Sequence, residues 1–143
     1  MNRTTSRYSC QKELQNADLR VTEARLGVLA VLKQTEKPLA AQDVLTYLKR
    51  HSIRADKATV FRIINSFAEK GIVVPVQFNE GRLRFETTSK GDHHHFVCDN
   101  CGYIEDISDC SITPLADDIQ KKKGVIIRRH SLEFFGICTG CQK

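Results

Sequence analysis

Two C-x-x-C pairs, Cys98-x-x-Cys101 and Cys138-x-x-Cys141, carry the clearest chemistry in this 143-residue chain. The spacing lets two thiolates grip one ion from a tight turn. Two such turns complete a tetrahedral all-sulfur shell, which suits Zn²⁺. Cys101-Gly102 and Thr139-Gly140-Cys141 supply the glycine such turns often use. Disulfides or redox-active pairs are the alternatives. The polar start Met1-Asn2-Arg3-Thr4 has no apolar leader, so a cytoplasmic chain is expected, and there paired spacings point to metal. Cys10 and Cys110 are left over as plain thiols with no assigned role.

Asp92-His93-His94-His95 stands at the start of an expected strand. Side chains alternate faces along a strand, so His93 and His95 share one face, Asp92 and His94 the other. One segment can then feed two metal sites. Imidazole and carboxylate donors suit Zn²⁺, Fe²⁺ or Mn²⁺. Glu86 can join His93 and His95, and His130 can complete a site with Asp92 and His94. The bland alternative is a solvated histidine cluster, and His51 is read only as a helix-end cation. Neither cluster looks catalytic. The four-cysteine shell is closed, and no HExxH-type helix accompanies the histidines, so the chain is not expected to be an enzyme.

The elements that must hold these residues follow from periodicity. A first helix is expected near Tyr8–Ala17. A second begins after Thr22, a good N-cap, and a third runs from about Leu39 to His51. Asp56 caps a fourth, where Val60, Ile63, Ile64 and Phe67 form one buried stripe and Gly71 closes the end. Thr59, Phe61, Arg62 and Asn65 lie off that stripe. Ile72–Phe78 and Arg82–Thr87 read as a hairpin around Asn79-Glu80-Gly81, with Pro75 marking an edge strand. Helices followed by a hairpin are the layout of a winged helix-turn-helix, whose last helix enters the major groove of DNA.

Polar Thr87-Thr88-Ser89-Lys90-Gly91 is the best boundary in the chain. It divides a winged-helix domain, residues 1–88, from a metal-binding dimerisation domain, residues 89–143. In the latter we expect strands at His93–Cys98, near Tyr103–Ile107 and through Val125–Ile137, with a helix near Ile112–Lys123. The fold class is therefore α+β, and the small C-terminal unit needs a staple. Residues 1–90 hold 16 Lys/Arg against 9 Asp/Glu, whereas residues 91–143 hold 6 against 8. A basic first half beside a mildly acidic second half points the first half toward a polyanion. No apolar run approaches the length of a membrane span.

In this order, the motifs resemble those of the ferric uptake regulator family of metal-sensing repressors. The matching stretches are Leu19-Arg20-Val21-Thr22-x-x-Arg25, Ala58-Thr59-Val60-Phe61-Arg62, Phe85-Glu86, His93-His94-His95-Phe96-x-Cys98-x-x-Cys101-Gly102, and His130-Ser131-Leu132. The resemblance implies a homodimer, structural zinc, and metal-activated binding to AT-rich palindromic operators. It implies Glu86, His93 and His95 as sensing ligands and Asp92, His94 and His130 at a second site. It also implies Arg20 in the minor groove, with Phe61 and Arg62 as groove readers. Arg25, Thr59 and Asn65 complete the expected DNA-binding set, and Arg82 and Arg84 are expected on phosphates. Pro38 stands where the family's sensing site takes a further His, so either water completes a three-coordinate site or Asp106 is the substitute. The second site usually has a His at the position of Asp92, an Asp at that of His94 and a Glu at that of Thr113. Phe61 replaces the family's Tyr. The sensing set contains no Cys, which makes Fe²⁺ the first expectation and Zn²⁺ the second. A zinc-uptake or peroxide-responsive regulator, and a DNA-binding module with structural zinc alone, are the alternatives.

Overall fold

The computed structural model describes residues 6–108 and 111–143. It divides into two compact units, one ending at Ser89 and one beginning at Lys90. Among the described residues, no helix is long and apolar enough to cross a membrane.

In the first unit, α1 (Arg7–Asn16) starts where the Ser6 side chain accepts the Tyr8 N–H. α2 (Glu23–Gln34) starts where Thr22 Oγ1 accepts the Arg25 N–H at 3.2 Å. α3 (Ala41–Arg50) and α4 (Lys57–Glu69) follow. The α4 stripe Val60, Ile63, Ile64 and Phe67 is fully inside, with Leu14, Val28, Leu29, Val44 and Leu48 around it. Gly27 permits the close approach of α2 to α3, since a Cβ there would meet Leu48 Cδ2 at 2.6 Å. Lys70 ends α4 and Gly71 turns the chain at φ +70°, a conformation glycine adopts freely. The Ile72 N–H then returns to the Phe67 carbonyl at 2.9 Å.

A short strand β1 (Leu39–Ala40) precedes α3, and β2 (Val73–Gln77) and β3 (Leu83–Thr87) form the hairpin. The sheet order is β1-β3-β2, all antiparallel, so Pro75 sits on an edge strand. The sequence reading began α3 at Leu39. Instead Leu39 pairs with Phe85 and Ala40 with Arg84, and the Asp43 carboxylate accepts the Ala40 N–H at 3.0 Å to start the helix after it. Helical periodicity in one segment cannot register a partner strand that lies more than forty residues away.

In the second unit, β4 (His94–Cys98) is central, antiparallel to β5 (Ile104–Ile107) and parallel to β6 (Glu133–Gly136). α5 (Thr113–Lys123) ends at Gly124, φ +66°. The strand expected through Val125–Ile137 is confined to β6. Only Glu133–Gly136 finds partners, because β4 offers so short an edge. Val125 and Ile126 are exposed, as are Leu115 and Ile119 of α5 and Phe134 and Phe135 of β6. Cys110 lies outside the described residues.

Candidate metal centres and nucleic-acid face

The sheet register brings the two C-x-x-C pairs together. Cys98 ends β4 opposite Gly136, the last residue of β6, so the turns that leave both strands lie side by side. The first turn is closed by the Gly102 N–H on the Cys98 carbonyl at 2.9 Å, the second by the Cys141 N–H on the Cys138 carbonyl at 3.0 Å. All four sulfurs lie within 4.8 Å of one another, and Cys101 Sγ and Cys138 Sγ are 3.7 Å apart. A disulfide would need about 2.05 Å. A tetrahedral zinc with bonds of about 2.3 Å has sulfur–sulfur edges of about 3.8 Å. The arrangement is therefore compatible with a structural zinc site. The Cys138 N–H donates to Cys98 Sγ at 3.3 Å. That bond and one from Cys101 bring the Cys98 thiol down to about 6, toward the thiolate that metals bind. The Cys101 thiol is lowered by the Tyr103 N–H but raised more by the crowded Cys98, Cys141 and Cys138 sulfurs, ending at about 11. Sulfurs this close resist full ionisation unless a cation sits among them.

The histidine strand presents two faces. On one, the His93 and His95 rings meet edge to face, 4.8 Å between centroids. His95 is buried, and its Nε2 lies 3.6 Å from an Asp106 carboxylate oxygen, its register partner on β5. His93 Nδ1 faces the Gly91 carbonyl at 2.9 Å, which favours a proton there and leaves Nε2 as the donor atom for a metal. On the other face, His94 Nε2 and His130 Nε2 stand 3.3 Å apart. Two nitrogens of one tetrahedral zinc, with bonds of about 2.0–2.1 Å, would be separated by about 3.4 Å. Asp92 is exposed. Glu86 is a buried carboxylate near the end of β3, in the first unit. A cavity of about 280 Å³ opens beside His94, lined by Ile107, Ile112, Leu115, Leu132 and Phe134. Nothing in the local pattern announces it, since its walls come from four separate stretches.

On the first unit, α4 keeps Phe61, Arg62 and Asn65 exposed, on the side away from its buried stripe. Thr59 is half-buried, with its N–H held by Asp56 Oδ1 at 2.7 Å. Arg20 is exposed, and Arg25 Nη1 donates to the Arg20 carbonyl at 2.9 Å. Arg25 thus fixes the backbone that carries Arg20. The wing arginines, expected on phosphates, face a carboxylate of their own hairpin. Glu80 faces Arg82 at 3.3 Å and binds Arg84, which also donates to the Pro38 carbonyl at 3.0 Å. The signal was present in the Glu80-x-Arg82-x-Arg84 spacing, because a hairpin tip folds those side chains onto one another.

Residues 16–135 match the model of the ferric uptake regulator family. The chain is 35% identical over 137 residues to the ferric uptake regulation protein of Bordetella parapertussis, covering 94% of this chain and 98% of that one. Among solved structures it resembles the Vibrio cholerae ferric uptake regulator, with TM-score 0.77 and 34% identity, covering 90% and 98% of the two chains. It also resembles the Campylobacter jejuni peroxide stress regulator, with TM-score 0.70 and 27% identity over 92% and 95%. The chain belongs to the ferric uptake regulator family of DNA-binding, metal-responsive transcription regulators, and is not an enzyme.

Proposed function

We propose that this chain is a cytoplasmic, homodimeric repressor that binds AT-rich palindromic operator DNA when Fe²⁺ occupies a site made by Glu86, His93, His95 and Asp106. The observation that carries the reading is the close set of His93, His95 and Asp106 on neighbouring strands. Imidazole and carboxylate donors without a thiolate suit Fe²⁺ first and Zn²⁺ second, with Mn²⁺ also within their chemistry. Glu86 lies seven residues before His93, at the end of the DNA-binding domain, residues 1–88. His93 and His95 open the dimerisation domain, residues 89–143. Ligands drawn from both domains favour one arrangement of the two, which shifts the population toward the DNA-binding form.

Cys98, Cys101, Cys138 and Cys141 hold a structural Zn²⁺ in this reading. His94 and His130 form the nucleus of a second site to which Asp92 is the further candidate. Arg20 enters the minor groove and Arg25 braces it. Thr59, Phe61, Arg62 and Asn65 face the major groove, where the Phe61 ring can meet thymine methyls. Leu115, Ile119, Val125, Ile126, Phe134 and Phe135 are an exposed apolar set of the kind a second copy covers.

Gel shifts with Fe²⁺, Mn²⁺ or Zn²⁺, each against chelator, test the reading. We expect metal-dependent binding that His93→Ala and His95→Ala weaken by about tenfold to a hundredfold, as loss of a ligand does. Unchanged metal response in both variants leaves a DNA-binding module with structural zinc alone. The carboxylate of Asp106 beside His95 also favours a peroxide-responsive variant of the same site. Mass spectrometry after aerobic iron loading distinguishes it by an added oxygen on His93 or His95.

A further inference from the structure

The first unit has a surplus of cations, and the fold pairs several of them internally. Arg7 pairs with Glu23, Lys33 with Glu13, and Arg82 and Arg84 with Glu80. Burial and the second bond to Pro38 leave the Arg84 side chain 15% exposed. The Glu80 carboxyl is held below its ordinary range, by Arg84 foremost, so it stays charged. A cation that already faces a carboxylate adds little net charge toward a phosphate. The two hairpin arginines share one carboxylate, so of their two charges one is offset, and Arg84 is the more closely held.

The turn between α3 and α4 differs. Lys49 and Arg54 line an open trough of about 550 Å³ together with Ser52, Ile53, Asp56 and Thr59. Among the described residues, neither cation has a hydrogen-bond or ion-pair partner. The turn that presents them is tight: Ser52 adopts φ +56°, and the Ile53 N–H returns to the Leu48 carbonyl at 2.9 Å. Asp56 is the one carboxylate of the trough, and it is turned onto α4, where it accepts the Thr59 N–H. The start of α4 is therefore already capped, and the two side-chain cations are what the trough offers an anion. Thr59 and the exposed Phe61 follow directly on α4, so an anion held here lies beside the face that reads bases.

We propose that Lys49 and Arg54 are the principal phosphate grip of the DNA-binding unit, holding the duplex backbone at the α3–α4 turn and setting the register in which α4 enters the groove. Arg84, held by Glu80 and the Pro38 carbonyl and largely buried, braces the hairpin instead, and Arg82 is left as a secondary contact. This rests on the DNA-binding reading above and adds where the backbone is held. The Asp56 carboxylate beside the grip turns a phosphate away from the start of α4 and toward Lys49 and Arg54.

The test uses the full-length, metal-loaded protein with two probes. One is a duplex selected by the protein from a random-sequence pool, and the other is a duplex of mixed sequence. Binding is titrated across a salt series. Lys49→Gln and Arg54→Gln should each weaken both duplexes by several-fold to about tenfold and reduce the salt slope by about one. Lys49→Arg should keep the wild-type slope. Arg82→Gln should cost less in affinity and slope than either Lys49→Gln or Arg54→Gln, whereas Glu80→Gln, by removing the charge that offsets one arginine, should steepen the slope. Lys49 and Arg54 are exposed, so melting curves of their variants should match wild type. Wild-type slopes in both Gln variants, or an Arg82→Gln loss as large as theirs, would overturn the proposal while leaving DNA binding intact. A wild-type protein that binds neither duplex would instead overturn the DNA-binding reading, and this grip with it.

Discussion

Leu14, Val28, Leu29, Leu48, Ile64 and Phe67 meet in the first unit with no exposure at all, packed among some dozen further apolar side chains. Nothing comparable gathers in the second unit. There, among the described residues, the buried apolar side chains are Cys98 and Ile104, and the buried polar ones are His94 and His95. α5 buries no residue. The first unit is thus built by hydrophobic burial, the second by a three-stranded sheet, a four-cysteine cluster and buried histidines. A unit of about fifty residues buries too small a share of its surface to be stable by burial alone. In such a unit ligand chemistry becomes folding chemistry. The expected division of labour is a DNA-binding unit insensitive to metal in its own fold, and a regulatory unit whose fold and response both depend on metal.

Replacing one cysteine of the four-cysteine cluster, the proposed zinc site, should have the largest effect on that contrast. Structural zinc contributes about 10–16 kcal/mol in small zinc-folded peptides. Cys98→Ser should therefore melt the second unit while the first keeps its slowly exchanging amides. Hydrogen exchange followed by mass spectrometry reads both units in one experiment, and a second unit still protected in Cys98→Ser would break the comparison. Next comes the core. Phe67→Ala should cost about 3–5 kcal/mol of the first unit's stability, as large-to-small changes in a packed core do. Urea unfolding should show the loss in the helical transition, with zinc content unchanged.

The exposed apolar set of the second unit sharpens the contrast further, because a second copy would supply the burial that one chain lacks. Ile126, 83% exposed, is the most accessible member. Ile126→Asp should weaken self-association by about tenfold or more, or about 1.4 kcal/mol. Sedimentation at several concentrations measures it, and unchanged association would place the interface elsewhere. The smallest effect is electrostatic and confined to the first unit. Hydrogen bonds from Thr59, its backbone N–H first, hold the Asp56 carboxyl below its ordinary value of 3.8. A group whose folded value is depressed stabilises the fold above its unfolded value, and that contribution disappears as pH falls through the folded one. Wild-type stability should thus decline more steeply than that of Asp56→Asn between about pH 5 and pH 2, since Asn caps without titrating. Equal slopes in acid denaturation would remove Asp56 from the balance.

Local spacing made much of this protein legible. A C-x-x-C pair places two thiols within reach of one ion whatever surrounds it, so the four-cysteine cluster could be read before any fold was known. The same holds for the α4 stripe, whose period is set by helix geometry, and for the caps at Thr22 and Asp56, which act over three residues. The family motifs added the roles expected of those residues. Contacts between distant segments were not legible. His94 meets His130 from thirty-six residues away, and His95 meets Asp106 only through the β4–β5 register. The Leu39–Ala40 strand exists because β3 had a free edge, and β6 stops where β4 runs out of partners. Glu80 offsets one charge of the hairpin arginines while Lys49 and Arg54 have no ion-pair partner among the described residues, a distinction that no count of Lys and Arg contains. Sequence spacing determined which groups could do chemistry. Tertiary structure decided which of them meet, and which charges remain available, because pairing across a fold depends on register and burial rather than on position along the chain.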